Sequence, residues 1–158
     1  MKIAGIGNAL VDVLVHLQDD TLLGKAGLPR GGMLLIDDTR REFLSQLMRP
    51  LHPRKSAGGS AGNTIKALAA LGGDCLFVGK VGDDDDAALL SGTYRSLGAG
   101  VRFLRSSLHT GVASTFISPT GERTFGTCLG AASTLRADEI TGVLLEGVGW
   151  LHIEGYLV

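Results

Sequence analysis

Twenty-four glycines punctuate this chain, and they fall at the ends of short apolar runs. They are too many for a helix bundle and show no collagen period. Glycine in such positions marks the turns of a protein that alternates strands with helices. The runs fit that reading. Lys2 to Gly7 is short, apolar and closed by glycine, as a buried strand should be. Val11, Val13 and Val15 alternate with Asp12, Leu14 and His16, which predicts a second strand with one more polar face. Met33 to Ile36 predicts a third. Thr39-Arg40-Arg41-Glu42 has the form of a capping box, and Phe43, Leu44, Leu47 and Met48 give the following helix one apolar face, ended by Pro50 and Pro53.

Ile65, Leu68, Ala69 and Leu71 form the stripe of a further helix, closed by Gly72-Gly73. Cys75 to Gly79 predicts a buried strand. Asp83 to Asp86 lead into a helix carrying Ala87, Leu90, Tyr94 and Leu97 and closed by Gly98. Val112 to Ser118 and Arg123 to Cys128 flank Pro119-Thr120-Gly121-Glu122, a hairpin pattern. Trp150 to Glu154 is a final apolar strand. The expectation is an α/β fold, a sheet flanked by helices, with the hairpin and the early strand pair forming a small separate sheet. A strand of a parallel sheet calls for a crossover helix to cover it. None follows Glu154, so the chain reads as the first part of a longer fold.

Charge and composition narrow the function. A formal net charge of −1 gives no basic excess for nucleic acid or an anionic membrane. No apolar run approaches the roughly 20 residues that span a bilayer, and the N-terminus lacks the apolar core of a signal peptide. Cys75 and Cys128 have no C-x-x-C or metal-type neighbour. They read as buried free thiols in a reducing cytoplasm.

The loop Gly58-Gly59-Ser60-Ala61-Gly62-Asn63-Thr64 runs straight into a helix pattern. Glycine lets backbone approach a ligand closely, and a helix start offers unpaired N–H groups with partial positive charge. With Asn63 beside it, the loop suits an oxygen-rich small molecule. Asn8 and Asp12 admit two readings. Both are ordinary turn residues, yet Asp12 lies among Leu10, Val11, Val13 and Leu14, and a carboxylate in apolar surroundings needs a partner or a ligand such as a pair of sugar hydroxyls. Gly5-Ile6-Gly7-Asn8-Ala9-Leu10 begins like a dinucleotide fingerprint but has Leu10 in place of the third glycine. A P-loop sequence is absent. Asp83 to Asp86 reads as a solvated helix cap rather than a metal loop. His16, His52, His109 and His152 are scattered and read as solvated or core histidines.

Taken in order, these residues resemble the PfkB family of carbohydrate and nucleoside kinases, with the ribokinase-like fold. Gly58-Gly59-Ser60-Ala61-Gly62-Asn63, then Thr64, Gly72, Gly79 and Gly82-Asp83, is similar to the family's first signature. Gly5 to Asp12 resembles the opening of its adenosine-kinase-like branch. Thr110-Gly111, Gly121 to Thr124 and Leu129 to Ala132 resemble the lid hairpin and the return from it, and Ile153 to Tyr156 the strand end that closes the substrate pocket. The resemblance implies that residues 1–158 are the N-terminal part of a kinase domain, with lid segments near residues 11–37 and 110–128. It implies transfer of the ATP γ-phosphoryl group, with Mg²⁺, to a primary hydroxyl of a sugar or nucleoside. Asn8, Asp12, Gly58, Gly59, Asn63 and Glu154 would hold the acceptor's hydroxyls, Arg123 would reach over from the lid, and a homodimer formed through the lid would fit the family.

One departure stands out. The family's second signature, a Gly-Ala-Gly-Asp anion hole with its catalytic Asp, belongs to the C-terminal half. The nearest string here, Gly98-Ala99-Gly100-Val101, has valine at the base position. The chain therefore reads as the acceptor-binding half of such a kinase, inactive alone and without a catalytic or metal-binding residue of its own. A non-catalytic sugar- or nucleoside-binding module is the second reading. A dinucleotide-dependent oxidoreductase, resting only on the incomplete glycine pattern, is the third.

Overall fold

The computed structural model of the chain describes residues 1–157. Two sheets organise it. The first is parallel, in the order β6 (Gly100–Arg105), β5 (Cys75–Val81), β1 (Lys2–Ile6), β9 (Val148–Ile153). Every residue of β5 is buried because both faces of this strand are covered. Side chains alternate between those faces. Cys75, Phe77 and Val81 point toward helices α3 (Ser60–Ala70) and α4 (Asp85–Ser96) and join Ile65, Leu90 and Tyr94. Leu76 and Val78 join Ala4 and Ile6 on the opposite face, which is covered by Leu135, Ile140 and Leu145 from short 3₁₀ segments. Lys80 lies on that second face too, and its ammonium donates to the Thr134 carbonyl and pairs with Glu139 at 2.6 Å.

The second sheet is mixed, in the order β3 (Met33–Leu35), β8 (Arg123–Cys128), β7 (Gly111–Ile117), β2 (Leu10–His16), β4 (Arg54–Ala57). The expected hairpin is the antiparallel β7–β8 pair, and β2 runs parallel to β7. Helices α1 (Thr21–Ala26) and α2 (Asp38–Met48) cover one face, where Leu44, Met48 and Phe116 are wholly buried. β2, β3 and the hairpin thus share a sheet apart from the parallel one, but β2 and β3 flank the hairpin rather than pair, and with β4 added the sheet has five strands against four in the parallel one.

Several local expectations shift. The cap of α2 is Asp37, whose carboxylate accepts from the Arg40 N–H at 2.8 Å, so the helix starts ahead of the Thr39–Glu42 box. Aspartate ranks above threonine as an N-cap. Leu71 is 86% exposed because it sits at the C-cap, past the last turn that faces the sheet. Three elements gave no clear periodic signal: α1 is only six residues, β4 is an edge strand with exposed Arg54, Lys55 and Ser56, and β6 is an edge strand interrupted by arginines. The final strand β9 forms where expected, yet Trp150, Leu151 and Ile153 on it are exposed at the sheet edge.

The start of α4 carries a measurable linkage. Asp84 caps the helix by accepting from the Ala87 N–H, and it also accepts from the N–H and hydroxyl of Thr110, both at 2.7 Å. The Thr110 hydroxyl in turn accepts from the Gly82 N–H at 3.0 Å. Burial alone would raise the Asp84 carboxyl, but these hydrogen bonds outweigh it and hold the group below the usual carboxylate value. A carboxyl depressed in the folded state stabilises above its unfolded pKa, and that stability is lost as pH falls through the folded pKa. Asp84→Ala is expected to cost about 2 kcal/mol at neutral pH, read from urea midpoints. The gap from the unsubstituted chain should narrow below about pH 4, and a gap independent of pH would contradict this account.

Candidate functional site

A cavity of about 420 Å³ opens where the ends of β1 and β9 face the uncovered side of the second sheet. Six of the seven residues singled out from the sequence line it: Asn8, Asp12, Gly59, Asn63, Arg123 and Glu154. They come from five places in the chain. Asn8 follows β1, Asp12 is on β2, Gly59 and Asn63 open α3, Arg123 starts β8, and Glu154 follows β9. The seventh, Gly58, stands behind them. A Cβ on Gly58 would overlap the Asp12 carboxylate, so the absent side chain makes room for the acid. Gly59 has φ +81°, and a Cβ there would strike the Asn8 carbonyl oxygen. That conformation and that close approach both require glycine.

These contacts explain the glycine-rich sequence locally. A Cβ on Gly5 would fall 2.6 Å from Ile65 Cγ1, and one on Gly7 would fall 2.6 Å from Ala61 Cβ. The glycines of the first strand let α3 dock closely over its end. The incomplete dinucleotide pattern is thereby accounted for by helix packing. No side chain caps α3, and Gly59, Ser60 and Asn63 at its start line the cavity.

The electrostatics centre on Asp12. Burial raises its carboxyl above the usual value, opposed by the positive charges of Lys66 and Arg123. Lys66, on α3, is itself lowered by burial, with Asp12 pulling it back up, and its ammonium donates to the Ala57 carbonyl. Glu154 is mostly covered and lies 3.4 Å from His152 Nε2. The cavity thus places two carboxylates and two carboxamides near one arginine. Met33, Leu35, Phe125 and Leu129 supply an apolar wall opposite. Such a site can take several hydroxyls on one side and a flat or apolar group on the other. Sequence reasoning missed Lys66 and this wall. Lys66 stands one helical turn after Asn63, a spacing that could have revealed it.

Residues 33–158 match the family model described as pfkB family carbohydrate kinase. The chain belongs to the pfkB family. Its fold is similar to that of an adenosine kinase from Sinorhizobium meliloti, at 31% identity and a TM-score of 0.86, over 99% of this chain and 47% of that one. The sequence is 37% identical over 73 residues to the aminoimidazole riboside kinase of Salmonella typhimurium, covering 45% of this chain and 23% of that protein. It is 30% identical over 126 residues to probable fructokinase-2 of Arabidopsis thaliana, covering 77% of this chain and 38% of that protein. The chain spans about half the length of the solved structure and less of the curated relatives. The α/β, ribokinase-like fold read from the sequence is therefore correct.

The string Gly98-Ala99-Gly100-Val101 lies apart from the cavity. Gly98 closes α4 with φ +82°, and Gly100 and Val101 begin the edge strand β6. Neither they nor Ala99 line the cavity. In the acidic run, Asp84 is the cap described above, Asp86 pairs with Lys55 at 2.6 Å, and Asp83 lies 3.9 Å from Arg105. These groups serve turns, caps and surface pairs. Among the described residues they do not converge as a set of metal ligands. No helix among the described residues is long and apolar enough to cross a membrane.

Proposed function

We propose that this chain is the acceptor-binding half of a pfkB-type kinase, which transfers the γ-phosphoryl group of ATP, with Mg²⁺, to a primary hydroxyl of a ribose-like sugar or nucleoside. One observation carries the reading: Asn8, Asp12, Gly59, Asn63, Arg123 and Glu154 converge on a single cavity at the uncapped start of α3. Asp12 and Glu154 accept hydrogen bonds from hydroxyls, the carboxamides of Asn8 and Asn63 fix their orientation, and Arg123 closes over them from β8. Residues 11–37 and 110–128 contribute the lid. The apolar wall favours an acceptor with a base or another flat group. The edge strand β3, paired only with β8 and with Leu34 exposed, supports pairing of two lids in a homodimer. Two free, buried cysteines support a reducing, cytoplasmic setting.

Phosphoryl transfer needs groups that position and stabilise the moving phosphate as well as an acceptor pocket. The chain offers the pocket alone. Calorimetric titration of the chain with adenosine, ribose and fructose is expected to show saturable binding of at least one. A coupled assay with ATP and Mg²⁺ is expected to show no turnover by the chain alone. A folded chain that binds none of the three acceptors would overturn the site, and turnover by the chain alone would overturn the half-site assignment. Binding with no turnover even by a longer protein that carries this segment would favour a non-catalytic binding module.

A further inference from the structure

Behind the acceptor cavity, three side chains that are far apart in sequence meet. Asp38 opens α2, His109 precedes β7, and Cys128 ends β8. The Asp38 carboxylate contacts His109 Nε2. Cys128 Sγ lies 3.6 Å from Asp38 Oδ1 and 3.8 Å from His109 Nε2. The three donor atoms lie within 4.8 Å of one another. None of these residues lines the acceptor cavity. A second cavity, of about 330 Å³, gives access past Asp38, Cys128 and Ser133.

We propose that Asp38, His109 and Cys128 form a binding site for a zinc-type divalent transition-metal ion. The donor set, one carboxylate oxygen, one imidazole nitrogen and one thiolate, is that of a borderline-soft cation. Tetrahedral zinc with ordinary Zn–S and Zn–N bonds separates sulfur from nitrogen by about 3.5 Å, close to the spacing of Cys128 and His109 here. The imidazole is already oriented. His109 Nδ1 lies 2.7 Å from the Thr110 carbonyl, which can only accept, so Nδ1 carries the proton. Nε2 faces the Asp38 carboxylate, which also accepts, so a bound ion would replace the proton between them and take the Nε2 lone pair, and a backbone carbonyl on the other nitrogen is the usual support of a metal-bound histidine. Gly130 packs against the ring, where a Cβ would lie 2.8 Å from His109 Cε1. The ion would take three protein ligands with solvent at the fourth position. It would tie the first turn of α2 to the end of β8, whose Thr127 faces the acceptor cavity.

The test is titration of the whole chain with Co²⁺, followed by competition with Zn²⁺. One equivalent of Co²⁺ is expected to give a sulfur-to-metal charge-transfer band that Zn²⁺ abolishes, and Zn²⁺ is expected to raise the unfolding temperature. Cys128→Ser should remove the band. His109→Gln should weaken binding by about tenfold or more. Cys75→Ser should change neither. Circular dichroism of each variant separates loss of the site from loss of the fold. A folded, unsubstituted chain that gives no band and no Zn²⁺-dependent rise would overturn the proposal and leave Asp38 and His109 as a simple ion pair. A band that survives in a folded Cys128→Ser variant would overturn it as well.

Discussion

Asp12→Ala is expected to weaken acceptor binding by roughly a hundredfold. Hydrogen bonds from two hydroxyls to one carboxylate contribute about 3 kcal/mol together at the low end of such charge-assisted bonds. The alanine also leaves a void against Gly58, whose missing side chain exists to admit the acid. Calorimetry with whichever acceptor binds the unsubstituted chain measures the loss. Asp12→Asn, which keeps the shape and part of the hydrogen bonding, should fall between the two. The carboxyl is raised by burial, so the folded state holds its proton more tightly than the unfolded chain does. Acceptor affinity should therefore decline as pH falls through that raised value, in the mildly acidic range above about pH 4. The same sign means that ionised Asp12 works against folding at neutral pH, which offsets part of what the void and the unpaired Lys66 cost the alanine variant. Undiminished affinity in this variant would remove Asp12 from the binding site.

The largest expected loss of stability comes from Phe77→Ala. Phe77 is fully buried on β5 and stacks in a three-ring cluster, 5.0 Å from Tyr94 and 5.7 Å from Phe103 between ring centroids. The same cluster supports Gly62 on α3, where a Cβ would lie 3.6 Å from the Phe77 ring. Emptying this position is expected to cost about 3–5 kcal/mol, a large part of the roughly 5–15 kcal/mol that holds a typical domain together. Leu71→Ala is the matched control. Leu71 reads as a core position by helical spacing but is exposed, and its loss should stay within about 0.5 kcal/mol. Urea unfolding of both variants provides the comparison. Equal midpoints would show that the ring cluster does not organise the junction of β5, α3 and α4.

Much of the fold was readable because the signals are local. The run Asp83 to Asp86 followed by Ala87, Leu90, Tyr94 and Leu97 states where α4 starts and which side it buries, and the structure buries the first three side chains while Leu97, at the C-cap, is exposed. The alternation of β5 was visible as a plain apolar run, since both of its faces are covered. Edge strands were harder. Arg54, Lys55 and Ser56 of β4 face solvent, so hydrogen bonding to β2 rather than burial makes this segment a strand. The Thr39–Glu42 box was a sound local pattern displaced by a better placed competitor, Asp37. In the site, the glycines and Asn63 stood out because close backbone approach leaves a mark in sequence. Lys66 and the wall of Met33, Leu35 and Phe125 did not, since they become neighbours of Asp12 only when two sheets and a helix meet.

The sequence alone determined the alternation of strands and helices, the glycine-rich opening of α3 and the resemblance to the pfkB family. Periodicity, turn chemistry and backbone freedom are properties of neighbouring residues, so they can be read along the chain. Tertiary structure decided which distant groups share an environment. It set Asp12 between Lys66 and Arg123, and it brought Asp38, His109 and Cys128 together across 90 positions of sequence. Charge, burial and ligand geometry act through space, and parallel pairing of β2 with β7 and of β1 with β5 joins segments that chain order keeps apart.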